Sequence, residues 1–278
     1  MNPGISILIR TFNSARTLPG VLARLQLQAD DEIIVVDSGS TDATVGLARK
    51  QRARILVAGK PFNYSKSLNL GFQAAKNPWV LVISSHCLPQ SENLLESFRQ
   101  AIPEFPAAVV VAYGECSLIE GQAAPGQKIS FTDKTATVTQ RQQVYGGNGL
   151  AFYRHAAWQQ QPFDESLPTS EDLAWFLRAL ANGGAAARVP QARVLYRNQG
   201  SLRHMFGKGW LESRLATEMN GTPGMNFFQL AVNLTSLLKK WGTAKIPFAT
   251  LLRQGAHALG AYGAAKFFSH ANSAKVEQ

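Results

Sequence analysis

Three apolar runs that each close on polar residues constrain this chain most. They are "ISILIRTFN" (Ile5 to Asn13), "EIIVVDSGSTD" with Asp37 closing the run from Glu32 to Val36, and "PWVLVISS", which runs into Ser84, Ser85 and His86. A further run, "ARILVAG", lies between the second and third. Each is rich in β-branched residues, as strands are. Between them, "ARTLPGVLARLQLQ" sets Leu18, Val21, Leu22 and Leu25 at helical spacing, and "YSKSLNLGFQAAKN" reads as another helix. A further helix is expected from about Asp42, with Ser40 and Thr41 as its caps. Strands that alternate with helices and are apolar throughout predict a mostly parallel sheet covered on both faces. Ligands of such sheets bind beyond the carboxyl ends of the strands. Thr11, Asn13, Asp37, Ser84 and His86 are therefore expected around one crevice.

Composition narrows the class. With 278 residues and 45% apolar content, the chain can bury a substantial core. A net charge of +10 suits anionic partners such as nucleotides or acidic headgroups. No aromatic and basic platform motif accompanies that charge, so nucleic acid is not expected as a partner. Cys87 and Cys116 form no C-x-x-C pair, which fits a reducing compartment and two inert thiols. The opening "MNPGISILIR" lacks the pattern of a signal peptide, and no segment is long and apolar enough to span a membrane. A cytoplasmic location is the expectation.

Past Pro103 the alternation loosens. "AAVVVAYGECSLIE" reads as a strand, and "KISFTDKTATVTQRQQVYGGNGLAFYR" as a loop, a glycine-rich turn and another strand. "SEDLAWFLRALANG" is a well-marked helix, with Ser170 as its cap, acids in its first turn and Gly183 after its end. "AARVPQARVLYRN" reads as a last strand pair or an edge. We divide the chain into a globular domain, residues 1–205, and a basic helical extension, residues 206–278. From Met219 to Val276 the extension has no acidic residue. Phe227, Ala231, Leu234, Leu238 and Trp241 fall on one helical stripe, and Pro247 opens a second helix. Such helices cover the domain, join a homodimer, or lie on a membrane surface.

Motifs exclude several chemistries. G-x-G-x-x-G, G-x-x-x-x-G-K-[ST] and G-x-S-x-G are all absent, which argues against a dinucleotide dehydrogenase, a P-loop enzyme and an α/β-hydrolase. Asp37 suits hydrogen bonding to a base or a ribose, and equally suits the formation of its own turn. Gly146, Gly147 and Asn148 permit a close approach to a sugar or phosphate, or simply make a tight turn.

In this order and spacing, "SILIRTFNSARTL", "EIIVVDSGSTDAT", "FNYSKSLNLGFQAA", "YGGNGLAFYR" and "FDESLPTSEDLAWFLRALANG" resemble a bacterial family 2 inverting glycosyltransferase. The resemblance runs from about Ile5 to Trp210. It implies the A-type glycosyltransferase fold, a nucleotide-sugar-binding α/β domain merged with an acceptor-binding half. It also implies transfer from a nucleoside-diphosphate sugar to a saccharide or lipid-linked acceptor, in surface polysaccharide or lipopolysaccharide synthesis at the inner face of the membrane. A non-catalytic sugar-nucleotide or glycan-binding module is the rival.

The same resemblance implies residue roles. Thr11, Asn13, Asp37 and Lys66 match donor-binding positions, and Asp172 matches the catalytic base, with Glu171 supporting it. Gly147 and Asn148 fall on the acceptor side. Arg203 lies in a basic loop that closes over the diphosphate in relatives. Ser84, Ser85 and His86 stand where the family has the metal-binding D-x-D. A divalent cation, Mn²⁺ rather than Mg²⁺, is then expected to bind weakly at His86, together with the donor. The alternative is that His86, with Lys66 or Arg203, stabilises the leaving diphosphate directly. Asp172 alone, without the resemblance, reads as a helix-capping acid.

Overall fold

The computed structural model describes residues 3–91, 93–118 and 128–197, and scattered helical positions between 206 and 261. Contacts divide the chain into two units, residues 1–197 and 198–278. The first unit runs β1 (Ile5–Thr11), α1 (Leu18–Leu22), β2 (Glu32–Asp37), α2 (Thr44–Lys50), β3 (Arg54–Val57), α3 (Tyr64–Ala74), β4 (Trp79–Ser84) and β5 (Cys87–Pro89). It continues with α4 (Leu94–Ala101), a 3-10 turn (Ile102–Glu104), β6 (Val109–Ser117), β7 (Ser130–Thr132) and α5 (Val138–Val144). It closes with β8 (Leu150–Arg154), α6 (His155–Gln160), α7 (Glu171–Ala181) and β9 (Ala185–Tyr196).

The strands form one sheet in the order β3-β2-β1-β4-β8-β6-β9-β5, with β7 on β9. The four strands read from the N-terminal alternation are parallel. The sheet becomes mixed where β8 joins β4 antiparallel, with Leu150 opposite Ile83. That pairing brings the turn before β8 beside the end of β4, because antiparallel neighbours exchange ends.

Both faces are covered, as continuous apolar strands require. Ile5, Ile7 and Ile9 pack towards α1 and α4, with Leu18, Val21, Leu94 and Phe98. Leu8, Val80 and Val82 pack towards α3 and α7, with Leu68, Phe72 and Trp175. On α3, Asn63 accepts a hydrogen bond from the backbone N–H of Lys66 at 2.8 Å, so the helix starts with a true side-chain cap. At Gly71 any Cβ would overlap Leu8, so glycine lets α3 lie against β1. Buried polar groups of α3 fasten the segment before α7. Ser65 donates to the carbonyl of Asp164 at 2.6 Å, and Asn69 donates to that of Phe163 at 2.9 Å.

Some local expectations change. Ser40 and Thr41 do not cap α2. Ser40 Oγ donates to Asp37, and the N–H of Thr41 goes to Asn13, while Asp42 accepts from the N–H of Thr44. Ser170 occupies the cap position of α7 but makes no capping bond, because its backbone is left-handed at φ 59°. "AARVPQARVLY" is neither an edge nor a strand pair but one 12-residue strand between β6 and β5. Pro190 has no N–H for the ladder, and the strand accommodates it where the register with β6 jumps from Gly114↔Val189 to Glu115↔Arg193. Where a loop is expected, the chain forms helix α5, which starts at a reciprocal capping box of Thr137 and Gln140. Cys87 is buried and Cys116 is half-buried, and both are free.

In the second unit, Phe227, Ala231 and Trp241 of the expected stripe, and Pro247, lie outside the described residues. Leu234 and Leu238 are helical, and Leu234 approaches the helical position Gly255. Among the described residues no helix is long and apolar enough to cross a membrane.

Candidate active site

The site is built at the carboxyl ends of β1, β2 and β4, together with the turn before β8 and the start of α7. Thr11 and Asp37 are register partners on β1 and β2. Asp37 is 3% exposed, and its carboxylate is fully engaged within the protein. Its Oδ2 accepts from Thr11 Oγ1 at 2.8 Å and from Ser40 Oγ at 2.5 Å. Its Oδ1 accepts from the N–H groups of Gly39 at 3.0 Å and Ser40 at 2.8 Å. A carboxylate offers about four acceptor positions, and all are occupied here. Asp37 therefore shapes the turn that follows β2. Asn13, left-handed at φ 46°, accepts from the N–H of Thr41 at 2.9 Å and donates its own N–H to Ser40 Oγ at 2.8 Å. The loops after β1 and β2 are thus sewn together, leaving Asn13 and Phe12 at the surface. Lys66 is exposed on the first turn of α3.

The end of β4 joins both halves of the site. Ser85 Oγ shares a buried 2.9 Å hydrogen bond with Ser14 Oγ. Ser84 Oγ donates to the carbonyl of Asn148 at 3.2 Å. Asn148 then reaches the acids of α7. Its N–H donates to Asp172 Oδ2 at 2.9 Å, and its side-chain amide lies 3.4 Å from Glu171 Oε1. Tyr153 Oη donates to Asn148 Oδ1 at 2.8 Å, which fixes the amide with its NH₂ towards Glu171. The N–H of Leu173 donates to Asp172 Oδ1 at 2.8 Å. Asp172 is half-buried. Gly147, at φ +68°, passes beside it, and a Cβ there would stand 3.2 Å from Asp172 Oδ2.

Glu171 is 5% exposed and pairs with Arg10 at 3.2 Å. Burial first, and then the neighbouring Asp172 charge, raise its pKa, against the opposing effect of Arg10. Arg10 also lies over the Tyr64 ring at 5.0 Å. Burial and then the Asp172 charge hold the hydroxyls of Tyr113 and Tyr145 well above the ordinary tyrosine value, so both stay protonated beside the acids.

The structure thus brings together Thr11, Asn13, Asp37, Ser84, Ser85, Asn148, Gly147, Glu171 and Asp172. Arg203 lies outside the described residues. Arg10 was missed by the sequence reading, although a charged residue inside the apolar run "ISILIRT" was a visible signal. Asn148, expected on the acceptor side, hydrogen-bonds both acids as well as Ser84 and Tyr153.

Residues 6–165 match glycosyl transferase family 2. The chain belongs to that family. Over 214 residues it is 22% identical to the poly(ribitol-phosphate) beta-N-acetylglucosaminyltransferase TarS of Staphylococcus aureus, covering 72% of this chain and 36% of that protein. The chain therefore spans about a third of that relative's length. It is 24% identical to the O-antigen chain rhamnosyltransferase RfbN of Salmonella typhimurium, covering 73% of this chain and 69% of that one. Among solved structures it resembles glucosyl-3-phosphoglycerate synthase of Mycobacterium tuberculosis in complex with Mn²⁺, uridine diphosphate and glucosyl-3-phosphoglycerate. The TM-score is 0.58 at 17% identity, covering 78% of this chain and 80% of the other. The fold is that of A-type glycosyltransferases.

The Mn²⁺ in that neighbour raises the question of a cation here. Ser84, Ser85 and His86 supply no carboxylate, and both serine hydroxyls are engaged within the protein. Among the described residues no group of three or more His, Cys, Asp or Glu side chains is placed to hold a metal ion. Mn²⁺ and Mg²⁺ favour carboxylate, carbonyl and water oxygens, and this donor set does not fit them.

Proposed function

We propose that the family 2 domain transfers a glycosyl group from a nucleoside-diphosphate sugar to a hydroxyl of a saccharide or lipid-linked acceptor, with inversion at the anomeric carbon. Inversion needs one in-line displacement. The acceptor oxygen forms a bond to the anomeric carbon while the bond from that carbon to the diphosphate oxygen breaks. The electron pair leaves on the diphosphate, and the acceptor proton must go to a base.

Asp172 is that base in our reading. The observation that carries the assignment is its clamp. One oxygen is held by the N–H of Asn148 and the other by the N–H of Leu173, while the residue remains half-exposed. Held this way, the carboxylate keeps one orientation as an acceptor hydroxyl arrives, which is how positioning lowers a barrier. Glu171, tied to Arg10 behind it, holds the start of α7 rather than meeting substrate. The turn shaped by Asp37, with Thr11 and Asn13, receives the nucleoside, and Lys66 is exposed on the first turn of α3.

The relatives named for poly(ribitol-phosphate) and O-antigen chain glycosylation support a surface-polysaccharide setting. A panel of nucleoside-diphosphate sugars, assayed for nucleoside diphosphate release with and without candidate glycan acceptors, tests the reading. Acceptor-stimulated release from at least one donor is expected. Binding of a donor with no release under any acceptor would leave a binding module instead.

A further inference from the structure

Departure of a nucleoside diphosphate adds negative charge to the leaving group, and something must neutralise it. Next to the end of β4 lies a cavity of about 240 Å³, lined by Arg16, Thr17, Arg24, His86, Leu88 and Arg197 among others. We propose that Arg16, Arg24 and Arg197, with the His86 imidazole, bind the diphosphate of the donor in place of a divalent cation. The proposal rests on the donor reading above.

Three observations converge. Among the described residues the lining contains three guanidinium groups and no carboxylate. None of the three arginines takes part in an ion pair among the described residues, whereas Arg10, Arg99 and Arg188 all do. Guanidinium groups match phosphate oxygens with paired N–H donors, and their mutual repulsion opposes a cation in the same space. The volume equals that of about eight waters, which gives room for a diphosphate with bridging solvent.

Chain adjacency and hydrogen bonds tie the pocket to the loop after β1, which the donor reading assigns to the nucleoside. Arg16 and Thr17 follow the loop that carries Thr11 and Asn13. In that loop the carbonyl of Ser14 accepts from the N–H of Thr17 at 3.0 Å, and Ser14 Oγ bonds Ser85. On the other side, the N–H of Arg197 donates to the carbonyl of His86 at 3.0 Å, and the His86 ring stands edge-on to Tyr196 at 4.9 Å. The ends of β4 and β9 are thereby stitched together under the pocket. Of the segment that departs from D-x-D, His86 therefore lines a cavity shared with three arginines.

Calorimetry on the full chain tests this, titrating UDP, GDP and dTDP and the matching monophosphates, in EDTA and then in Mn²⁺. At least one diphosphate is expected to bind in EDTA about as tightly as in Mn²⁺. R16Q, R24Q and R197Q are each expected to weaken it about ten-fold or more, since each removes a charge-assisted contact. The loss should be greater for the diphosphate than for the monophosphate. The arginines are solvent-exposed, so melting temperatures should stay close to wild type. Binding that requires Mn²⁺, or arginine variants that bind in EDTA as tightly as wild type, would overturn the proposal and leave the donor reading standing. Wild-type protein that binds no nucleoside diphosphate in either condition would remove the donor reading, and this inference with it.

Discussion

The backbone N–H of Asn148 donates to Asp172 Oδ2 at 2.9 Å, tying the turn before β8 to the first turn of α7. The contact requires Gly147, whose left-handed backbone at φ +68° lets the chain pass the carboxylate without a side chain. Gly147→Ala should cost about 1–2 kcal/mol in stability through that backbone conformation. It should also displace Asp172, because the new Cβ would sit 3.2 Å from Oδ2. We predict a fall in turnover of about ten-fold or more, well beyond the loss in folded fraction, since small misplacements at a reacting centre are costly. Unfolding curves and initial rates on the same preparation check it. Unchanged turnover would mean that the turn does not position the acid.

Glu171 provides a pH signature. Burial and the adjacent Asp172 charge raise it above its ordinary 4.5, so the folded state holds this proton more tightly than the unfolded chain. Its stabilising contribution is complete below 4.5 and is lost as pH rises through the higher folded-state value. Glu171→Gln keeps an acceptor for Arg10 and removes the titration. Its stability relative to wild type should therefore climb as pH rises from below 4.5 towards neutrality. Denaturant midpoints of both proteins across that range measure the difference. A difference flat in pH would show that Glu171 carries no such penalty.

Asp37 separates shape from contact. Asp37→Ala leaves Thr11 Oγ1, Ser40 Oγ and two N–H groups without their acceptor, and should cost about 2–4 kcal/mol. Asp37→Asn retains one acceptor oxygen and should cost less. If the turn's shape receives the nucleoside, affinity for nucleoside diphosphate should fall in step with the stability loss across the two variants. Calorimetry showing an unchanged dissociation constant for Asp37→Ala would remove the turn from the donor site.

The contrast between what was legible and what was not follows sequence distance. The four parallel strands and the helix from Glu171 could be read because each is a local pattern of apolar spacing. The position of Asp172 in the first turn of α7 could be read from its short motif, and the positions of Thr11, Asn13 and Asp37 from the strand ends. The pairing of Arg10 with Glu171 spans 161 positions, and no local pattern encodes it. The same holds for the pocket that joins Arg16, Arg24 and Arg197. For Asp37 the sequence leaves ligand binding and turn formation both open, because its hydrogen-bond partners are spread over two loops. Strand β9 was misread at Pro190, where only the partner strand reveals the bulge. The capping box of α5, by contrast, was printed in the sequence as T-x-x-Q and passed over.

The central claim is that Asp172 takes the acceptor proton. The most direct measurement is the single-turnover rate of Asp172→Asn against wild type, at saturating donor, with the donor and acceptor identified by the panel. Asparagine keeps the side chain's size and an acceptor oxygen for Asn148 or Leu173, but it cannot take up a proton. The account predicts a fall of about 100-fold or more, the usual contribution of a general base, with donor affinity near that of wild type. A variant that keeps most of its activity would contradict the account and leave Asp172 as a structural acid at the start of α7.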